Sequence, residues 1–347
     1  MHVSAAFPFT QHPMKQHLLL GALVLCGGLA SVHAEEKKNI LMIAGRPSHG
    51  PGEHEHNAGI QLLAAGLQQG ASDRVNVAVS LGGRWPSDEA VAKADSIVIY
   101  CDGGEGHVAL PHLDQLAKKM AAGCGFVCLH YAVEPAYERA GWLSVDGKPV
   151  SPPPAGRFST GKGAKEFKDW LGGYFESHFS VNPHWLADFK SLPDHPASRG
   201  VQPFATTDEW YFNMRFRDGM EGVTPILSAV APASTMNRKD GAHEGNPDVR
   251  KLVLEEKKPQ VVAWAVERKD GGRGFGFTGG HFHKGWANDN QRTLVLNAIV
   301  WTAKAEVPKD GVATKFTDEQ LAANQDPKQP RKPATPAPKP AATPAAK

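Results

Sequence analysis

The stretch NILMIAGRPSHGPG, residues 39–52, decides the fold. Its first six residues form a short apolar run, and the Gly- and Pro-rich segment that follows is typical of a loop. Such a run leading into such a loop is typical of a buried strand in a parallel sheet. From Glu53 to Gln69 the apolar residues recur with helical spacing, and Arg74–Leu81 then alternates as a second strand. The folded chain therefore begins with a β-α-β unit.

The same alternation of strands and helices continues along the chain. The patterns predict helices at Ser87–Ala94, Leu110–Ala122, Lys165–Phe175 and Asn288–Lys304, and strands at Ser96–Cys101, Gly125–Ala132, Glu209–Met214, Thr224–Val230, Gln260–Glu267 and Gly274–Gly279. Four early strands alternating with helices predict an α/β fold with a doubly wound, mostly parallel sheet, which the last two strands and the last helix complete. A Gly/Pro-rich and then aromatic-rich stretch predicts an insertion at about 135–250.

Both ends of the chain have compositions that do not suit a folded core. After Met14 and Lys15, an apolar run from Leu18 to Ala30 leads to a small-residue end at Ala34, which is the pattern of a signal peptide. We expect residues 1–34 to be removed, with Met14 as a second candidate start, and the mature protein to be periplasmic or secreted. The α/β domain is predicted at 38–306, and the Pro/Ala/Lys-rich residues 307–347 are predicted to be a disordered tail.

Charge, cysteines and hydropathy exclude several classes of function. The net charge is only +2, and much of the positive excess lies in the tail, so no nucleic-acid partner is expected. No stretch reaches the roughly 20 apolar residues of a transmembrane helix. Cys101, Cys124 and Cys128 lack metal-binding spacing and are expected to be buried thiols. If 125–132 is a strand, Cys124 and Cys128 lie too far apart for a disulfide.

Histidines and carboxylates follow several predicted strands, at the sheet edge where α/β proteins bind ligands. His281 and His283 are two residues apart, so on an extended segment both rings point to one side and can bind one metal ion. Further ligands are expected from the loop after the first strand, which carries His49, Glu53, His54 and His56. The alternative is that these are exposed loop histidines which cap the helix.

His130 ends an apolar strand, where an α/β enzyme places a nucleophile or base at the turn into a helix. We predict a catalytic role for His130, with Glu134 close behind it. The alternative is a core histidine bonded to a neighbouring backbone group.

The insertion mixes carboxylates, imidazoles and large aromatic side chains, a combination that sugar-binding sites use. We predict His178 and Glu209 as further catalytic candidates. The predicted substrate-binding residues are Asp102, Glu176, Asp208, Trp210, Tyr211 and His243. The alternative is that the aromatic residues form a small core of the insertion.

Many short motifs occur together in one order. They are the strand 39–45 with the His49 loop, YCDGG at 100–104, GFVCLH at 125–130, GGYFESH at 172–178, DHP at 194–196, DEWY at 208–211, GH at 280–281 and NAIVW at 297–301. In this succession the chain resembles the trehalose-utilisation (ThuA) family over about residues 38–306. The resemblance implies the flavodoxin-like architecture of class I glutamine amidotransferases.

The chain departs from the amidotransferases where their chemistry lies. His130 occupies the position of the nucleophilic cysteine, and His283 stands where the late histidine would be followed by glutamate, so glutaminase activity is not expected. The resemblance implies a role with a small carbohydrate substrate, a disaccharide or keto-sugar. We expect a lyase, isomerase or hydrolase, with a divalent metal such as zinc as the candidate cofactor. The alternative is a noncatalytic sugar-binding or scaffold protein.

Overall fold

A computed structural model describes residues 36–135 and 163–329, together with the backbone of two short strands between 144 and 149. All described residues belong to one compact unit. The predicted signal peptide, most of the Gly/Pro-rich start of the insertion and the last residues of the tail lie outside the described residues. Among the described helices, none has the length and apolar character needed to cross a membrane.

Strands and helices alternate through the first half of the described chain. The strands are β1 Lys38–Ala44, β2 Val75–Ser80, β3 Ser96–Tyr100, β4 Gly125–Leu129, β5 Ser144–Val145, β6 Lys148–Pro149, β7 Gly173–Tyr174, β8 Trp185–Phe189, β9 Phe204–Asp208, β10 Arg215–Phe216, β11 Val223–Val230, β12 Pro259–Glu267 and β13 Arg273–Phe277. The α-helices are α1 His56–Gly70, α2 Asp88–Lys93, α3 Leu113–Ala121, α4 Ala164–Leu171, α5 Pro247–Arg250, α6 Asp289–Thr302 and α7 Asp318–Ala322.

Seven strands form the central sheet in the order β11-β12-β13-β4-β3-β1-β2. The five strands from β13 to β2 are parallel, and β12 and β11 are added antiparallel at one edge. This confirms the predicted mostly parallel α/β sheet. Helices cover both faces, because alternate residues of β1 belong to different cores. Ile40 and Met42 pack with residues of α1 and α6, whereas Leu41 and Ile43 pack with residues of α2, α3 and α4.

The predicted insertion is too long and one strand in it is wrong. β11 lies inside the predicted range 135–250 but pairs with β12 in the central sheet. The predicted strand Glu209–Met214 is not formed, since the strand is β9, which ends at Asp208 and pairs with β8. The Asp208 carboxylate accepts a hydrogen bond from the Glu209 backbone N–H at 2.8 Å. This local bond replaces a ladder bond and ends the strand there.

The aromatic residues of the insertion are part of the main core. Trp185, Phe189, Trp210 and Phe212 are buried in the same apolar cluster as the residues of α1 and α6. Each of these rings also contacts another aromatic ring edge-on or tilted, as Trp210 does with Phe277. The part of the insertion that the structure describes therefore packs into the main core.

The predicted disordered tail begins too early. Val307 and Val312 are buried in the core, and the Val312 backbone N–H donates to the Asn297 side chain at 2.7 Å. α7 follows, and His283 donates to the carbonyl oxygen of Leu321 at 2.8 Å. Residues 307–329 contain enough apolar side chains to pack against α1 and α6, which the overall composition of the tail concealed.

Candidate functional site

Four side chains from separate parts of the chain converge beyond the carboxyl ends of the parallel strands. His54 Nε2 lies 3.0 Å from His281 Nδ1 and 3.1 Å from His130 Nε2. Glu209 Oε2 lies 3.0 Å from His281 Nδ1 and 3.6 Å from His130 Nε2. The four donor atoms all lie within 4.8 Å of one another. We call these four residues the donor cluster.

The topology of the sheet explains how three of these residues meet. His54 lies in the loop after β1, His130 follows β4 directly, and His281 follows β13. Because these strands are parallel members of one sheet, their carboxyl ends lie along one edge. Glu209 comes from the insertion, directly after β9, and closes the cluster from above the sheet edge.

The supporting hydrogen bonds determine which ring nitrogens carry protons. His54 Nδ1 lies 2.6 Å from Asp102 Oδ1, and His130 Nδ1 lies 2.8 Å from the carbonyl oxygen of Thr278. Because an ionised carboxylate and a carbonyl only accept hydrogen bonds, each Nδ1 must carry the proton. The Nε2 lone pairs of the two neutral rings therefore face each other at 3.1 Å with no proton between them. A cation held between them would remove this repulsion.

Electrostatics keep these rings neutral. Burial lowers the pKa of His54 to about 4 and lowers the pKa of His130 well below its ordinary value. Burial alone would raise the pKa of Asp102, but the hydrogen bond from His54 and the nearby His56 hold it well below its usual range. A similar balance holds for Glu209, where burial is outweighed by hydrogen bonds with His184 and His281. The cluster thus offers neutral imidazoles at His54 and His130 and an ionised carboxylate at Glu209 at pH 7.

The donor set suits a divalent transition metal ion. Three imidazole nitrogens and one carboxylate oxygen are ligands that Zn²⁺ and similar ions take, and metal-bound histidines usually donate their second nitrogen to a carboxylate or carbonyl. Asp102 and the Thr278 carbonyl accept such bonds here. His281 Nε2 is buried without a hydrogen-bond partner in the described structure, and Glu53 Oε1 lies 3.8 Å from it. The residues present therefore fit a metal ion.

Asp208 holds two of the cluster residues in place. Its Oδ1 accepts hydrogen bonds from the backbone N–H groups of Glu209 at 2.8 Å and His281 at 3.0 Å, and its Oδ2 accepts one from Gly280 at 2.7 Å. The side chain is fully buried, and burial raises its pKa to about 6 despite these bonds. Asp208 is therefore a supporting residue, not the substrate-binding residue that the sequence predicted.

Two residues of the donor cluster, His54 and Glu209, line an open cavity of about 500 Å³. Tyr211 lines it, and its hydroxyl lies 3.2 Å from both His130 Nε2 and Glu209 Oε2. Burial raises the pKa of Tyr211 well above its ordinary value, so the hydroxyl keeps its proton. The remaining lining residues are His49, His54, Tyr131, Asn182, Glu209 and residues 238–244.

Several predicted metal ligands lie beside the cluster without joining it. His283 begins a short 3-10 helix and donates to Leu321, so the pair His281 and His283 does not share one extended side and that prediction is wrong. His56 begins α1 and its Nδ1 bonds the Arg46 carbonyl oxygen at 3.0 Å. His49 stacks on the His54 ring with centroids 3.5 Å apart.

Four other predicted site residues have different roles from those expected. Glu176 is buried and forms two hydrogen bonds of 2.7 Å with Arg215, which is a structural ion pair. Trp210 is fully buried and donates to the Thr206 carbonyl oxygen, so it is a core residue. Asp102 orients His54. His178 contacts the cavity loop through its backbone, which donates to the Ala242 carbonyl oxygen at 2.7 Å.

Glu134 and His243, predicted as a catalytic and a substrate-binding residue, pair with each other. His243 lines the cavity, and its Nε2 lies 2.8 Å from one carboxylate oxygen of Glu134 and 3.1 Å from the other.

Three residues of the cavity and its border were missed in the sequence. Asn182 donates to Glu209 Oε1 at 3.0 Å, and His184 Nε2 lies 3.5 Å from the same oxygen. Arg238 Nη2 donates to Asn182 Oδ1 at 3.1 Å. Asn182 and His184 precede a strand that buries alternate side chains. This alternation in the sequence could have indicated the strand and drawn attention to the polar residues before it. Arg238 lies in a polar loop whose sequence has no distinctive pattern.

These features define a class of protein: a flavodoxin-like α/β protein with a histidine and carboxylate site at the strand ends. His130 has φ +54°, the left-handed conformation of a strained turn after a strand, at the place where an amidotransferase carries its cysteine. Cys128 lies within β4, is fully buried and has its pKa raised well above the ordinary value by burial. The described residues thus contain no cysteine nucleophile at this site.

The family model of ThuA, described as trehalose utilisation, matches residues 40–302. The chain belongs to the ThuA family. Among solved structures it is similar to a ThuA-like protein from Bacteroides uniformis, at 15% identity over 79% of this chain and 95% of that chain with a TM-score of 0.49. A ThuA-like protein from Parabacteroides merdae matches at 15% identity over 77% and 90% of the two chains, with a TM-score of 0.45. The search of curated proteins found no significant match.

Proposed function

We propose that this protein is a metal-assisted enzyme that acts on a disaccharide or keto-sugar in the cavity beside the donor cluster. The proposal rests on one observation. Lone pairs of His54, His130 and Glu209 converge on one point, and no proton lies between the two imidazoles. A cation stabilises such a set, and a cation next to an open cavity is in position to act on a bound molecule. Membership of the family described as trehalose utilisation supports a sugar as that molecule.

The cavity wall supports a ligand rich in oxygen. Arg238 Nη1 lies at the cavity wall and is buried without a hydrogen-bond partner among the described residues, and Glu244 Oε2 lies 4.0 Å from Lys239 Nζ. An unpaired donor is costly to bury, by about 1–3 kcal/mol, and a ligand that accepts from Arg238 Nη1 would relieve this. Sugar hydroxyls both donate and accept, which suits this wall. Tyr131, which is half-buried, adds aromatic surface for a sugar ring.

In this proposal the residues have three different roles: metal binding, hydrogen bonding at the cavity wall, and orientation of the cluster. A divalent ion held by His54, His130, His281 and Glu209 would polarise a carbonyl or hydroxyl oxygen of the substrate. Tyr211 keeps its proton and donates a hydrogen bond at the cavity wall. Asp102 and Asp208 orient the cluster and do not contact the substrate.

Export is part of the proposal. The segment ending at Ala34 supports a periplasmic or secreted mature protein.

The test is a screen of trehalose, maltose and their keto derivatives with purified mature protein supplied with Zn²⁺ or Mn²⁺. We expect turnover of at least one sugar by the wild type, and its loss in His281→Ala. The matched control is His112→Ala, because His112 is a half-buried histidine that stacks on Trp85 and belongs neither to the donor cluster nor to the cavity lining. This variant keeps the wild-type rate.

Two results would contradict the proposal. If calorimetry detects binding of a sugar but no sugar is turned over, the protein is a noncatalytic sugar-binding protein. If no sugar is bound or turned over, the carbohydrate assignment is wrong.

A further inference from the structure

Glu134 and His243 form a pair, separate from the donor cluster, in which His243 lines the cavity and Glu134 is buried behind it. Glu134 follows the short 3-10 turn after β4, and its side chain is 1% exposed, whereas the side chain of His243 is 27% exposed. Both carboxylate oxygens of Glu134 contact the same nitrogen, Nε2 of His243, at 2.8 and 3.1 Å. The carboxylate accepts these bonds, so Nε2 carries a proton and Nδ1 is the nitrogen left to exchange one.

The ring of His243 is held firmly. It stacks on Phe175 with centroids 5.1 Å apart and an interplanar angle of 25°. Its own carbonyl oxygen accepts a hydrogen bond from the Asn182 backbone at 3.0 Å, and the neighbouring Ala242 carbonyl accepts one from the His178 backbone. A histidine fixed by packing and oriented by a carboxylate is the arrangement that enzymes use for proton transfer.

The pair and the donor cluster border the same cavity. The ring of Tyr131 lies 6.1 Å from that of His54 and 6.1 Å from that of His243. His54, Glu209 and His243 all line the cavity. A molecule bound there would therefore have the cluster on one side and His243 on another.

The charges around His243 favour a basic imidazole. Burial lowers its pKa, but the hydrogen bond and charge of Glu134 outweigh burial and raise it, with a smaller contribution from Glu209 and an opposing one from Arg238. His178 also lies close enough for the two imidazoles to influence each other. Tyr131 also packs against the ring, and the charged side chains of Lys239, Asp240 and Glu244 line the same cavity.

We propose that His243, oriented by Glu134, removes the proton from the carbon next to the carbonyl group of a keto-sugar. The C–H bond breaks, its proton moves to Nδ1 of His243, and its electron pair forms the C=C bond of an enediolate as the carbonyl oxygen takes the negative charge. In an isomerisation, the neighbouring hydroxyl passes its proton to the enediolate oxygen and the former carbonyl carbon takes the proton from Nδ1 of His243, so the carbonyl group moves to the neighbouring carbon. In an elimination, the C=O bond re-forms, the C=C bond shifts to the next carbon as its bond to the leaving group breaks, and the leaving group takes the proton from Nδ1. The reaction is therefore an isomerisation or an elimination. Of the three enzyme classes considered above, this leaves isomerase and lyase and excludes hydrolase. This inference rests on the proposed function, because it requires a keto-sugar in the cavity.

The direct test follows hydrogen exchange. A keto-disaccharide turned over by the wild type is incubated in D₂O, and loss of the proton next to the carbonyl is followed by NMR. We expect His243→Ala to slow exchange by about 100-fold or more, a typical contribution of a positioned acid or base, with metal content unchanged and the substrate Kd changed less than about threefold. Added imidazole restores part of the exchange. The control His112→Ala exchanges at the wild-type rate.

Glu134→Gln tests the positioning role of the carboxylate. We expect a lower kcat with little change in KM, and a pH profile whose acidic limb, set by deprotonation of His243, moves to lower pH, because the amide no longer stabilises the protonated imidazole. A merely structural role would lower the melting temperature without moving the pH profile.

The outcomes separate this inference from the proposed function. If the wild type exchanges the proton and His243→Ala exchanges it equally fast, the inference is wrong and the proposed function stands. The same holds if His243→Ala no longer exchanges the proton and added imidazole does not restore the exchange. If the wild type turns over sugars but exchanges no proton, the reaction is a hydrolysis and the inference is also wrong. If the wild type acts on no sugar, the proposed function fails as well.

Discussion

At the scale of single residues, backbone strain marks the site. Among the described residues, nine that are not glycine have positive φ, and four of them are the histidines His49, His54, His130 and His178. Residues in this region cost of order 1 kcal/mol or more and persist where surrounding structure holds them. All four lie in the site or contact the cavity loop. The strain therefore coincides with the positions where ring direction matters.

Asp102 tests whether the donor cluster is supported in the way that metal sites are. Asp102→Asn keeps the size of the side chain but removes the charge that accepts the bond from His54 Nδ1. We expect a loss of about 10- to 100-fold in metal affinity, as for other supporting residues of metal sites. Asp114→Asn, on α3, is the control. Competition with a chelating dye measures the metal affinity of both variants. Equal metal affinity of Asp102→Asn and the wild type would contradict the role of Asp102 in supporting the donor cluster.

The titration of His243 gives a direct readout of the buried pair. Its pKa is raised by Glu134, so its protonated form persists above the ordinary value of about 6.5. We expect the histidine NMR signals of the wild type to show this titration, and the midpoint to fall in Glu134→Gln. A midpoint that does not change between the two proteins would show that Glu134 does not control the ring.

At the scale of elements, the C-terminal segment fastens the loop that carries His54. Lys328 Nζ donates to the backbone carbonyl oxygens of Glu53 and His54, and it lies 3.1 Å from Glu55 Oε1. Glu55 is fully buried, and the Lys328 side chain is 6% exposed. The segment thus supports a cluster residue whose position in sequence lies about 270 residues away.

Replacing this lysine should affect both stability and metal binding. Lys328→Met leaves the carboxylate of Glu55 buried with only backbone donors from Gly52 and Asp326. We expect the free energy of unfolding to fall by about 3 kcal/mol, the lower end of the range for a broken buried ion pair, and metal affinity to fall with it. The exposed Lys315→Met is the control. The free energy of unfolding of both variants is measured by chemical denaturation. Equal values for Lys328→Met and Lys315→Met would contradict the role of Lys328 in holding the loop.

The elements differed in how well their sequence predicted them. β1 to β4 and α1 to α3 were predicted because short apolar runs and helical spacing are local signals. β11 was predicted as a strand but not as part of the sheet, since its antiparallel partner β12 lies more than 25 residues later and pairing is not a local property. The residues 307–329 were missed because a few apolar side chains are hidden in a polar composition.

The site was predicted only where the topology alone was sufficient. His54, His130 and His281 follow parallel strands, so their convergence could be expected from the sheet. His283 was assigned wrongly because a 3-10 turn begins at that residue. Glu209 was named as a catalytic candidate, but its place beside the histidines depends on how the insertion folds over the sheet edge. The pairing of Glu134 with His243 also depends on how the insertion folds over the sheet edge, so the sequence does not predict it.

At the scale of the whole molecule, the chain combines an amidotransferase-like sheet with a different site. The three cysteines of the described residues are buried and unpaired with one another, as the sequence predicted, so the fold carries no exposed thiol there. Export remains a prediction from the sequence. Expression of the full chain in a bacterium with a periplasm should give a mature protein whose N-terminal sequence begins at Glu35. A mature N-terminus at residue 1 or at Met14 would contradict it.

The central claim is that the donor cluster binds one divalent metal ion. Its most direct test is the metal content of the mature protein, purified without chelators and measured by inductively coupled plasma mass spectrometry after dialysis. We expect about one equivalent of a transition metal ion per chain in the wild type and in His112→Ala, and less than about one tenth in His281→Ala. Folded wild-type protein that holds no metal and takes up no added Zn²⁺ or Mn²⁺ would contradict the account.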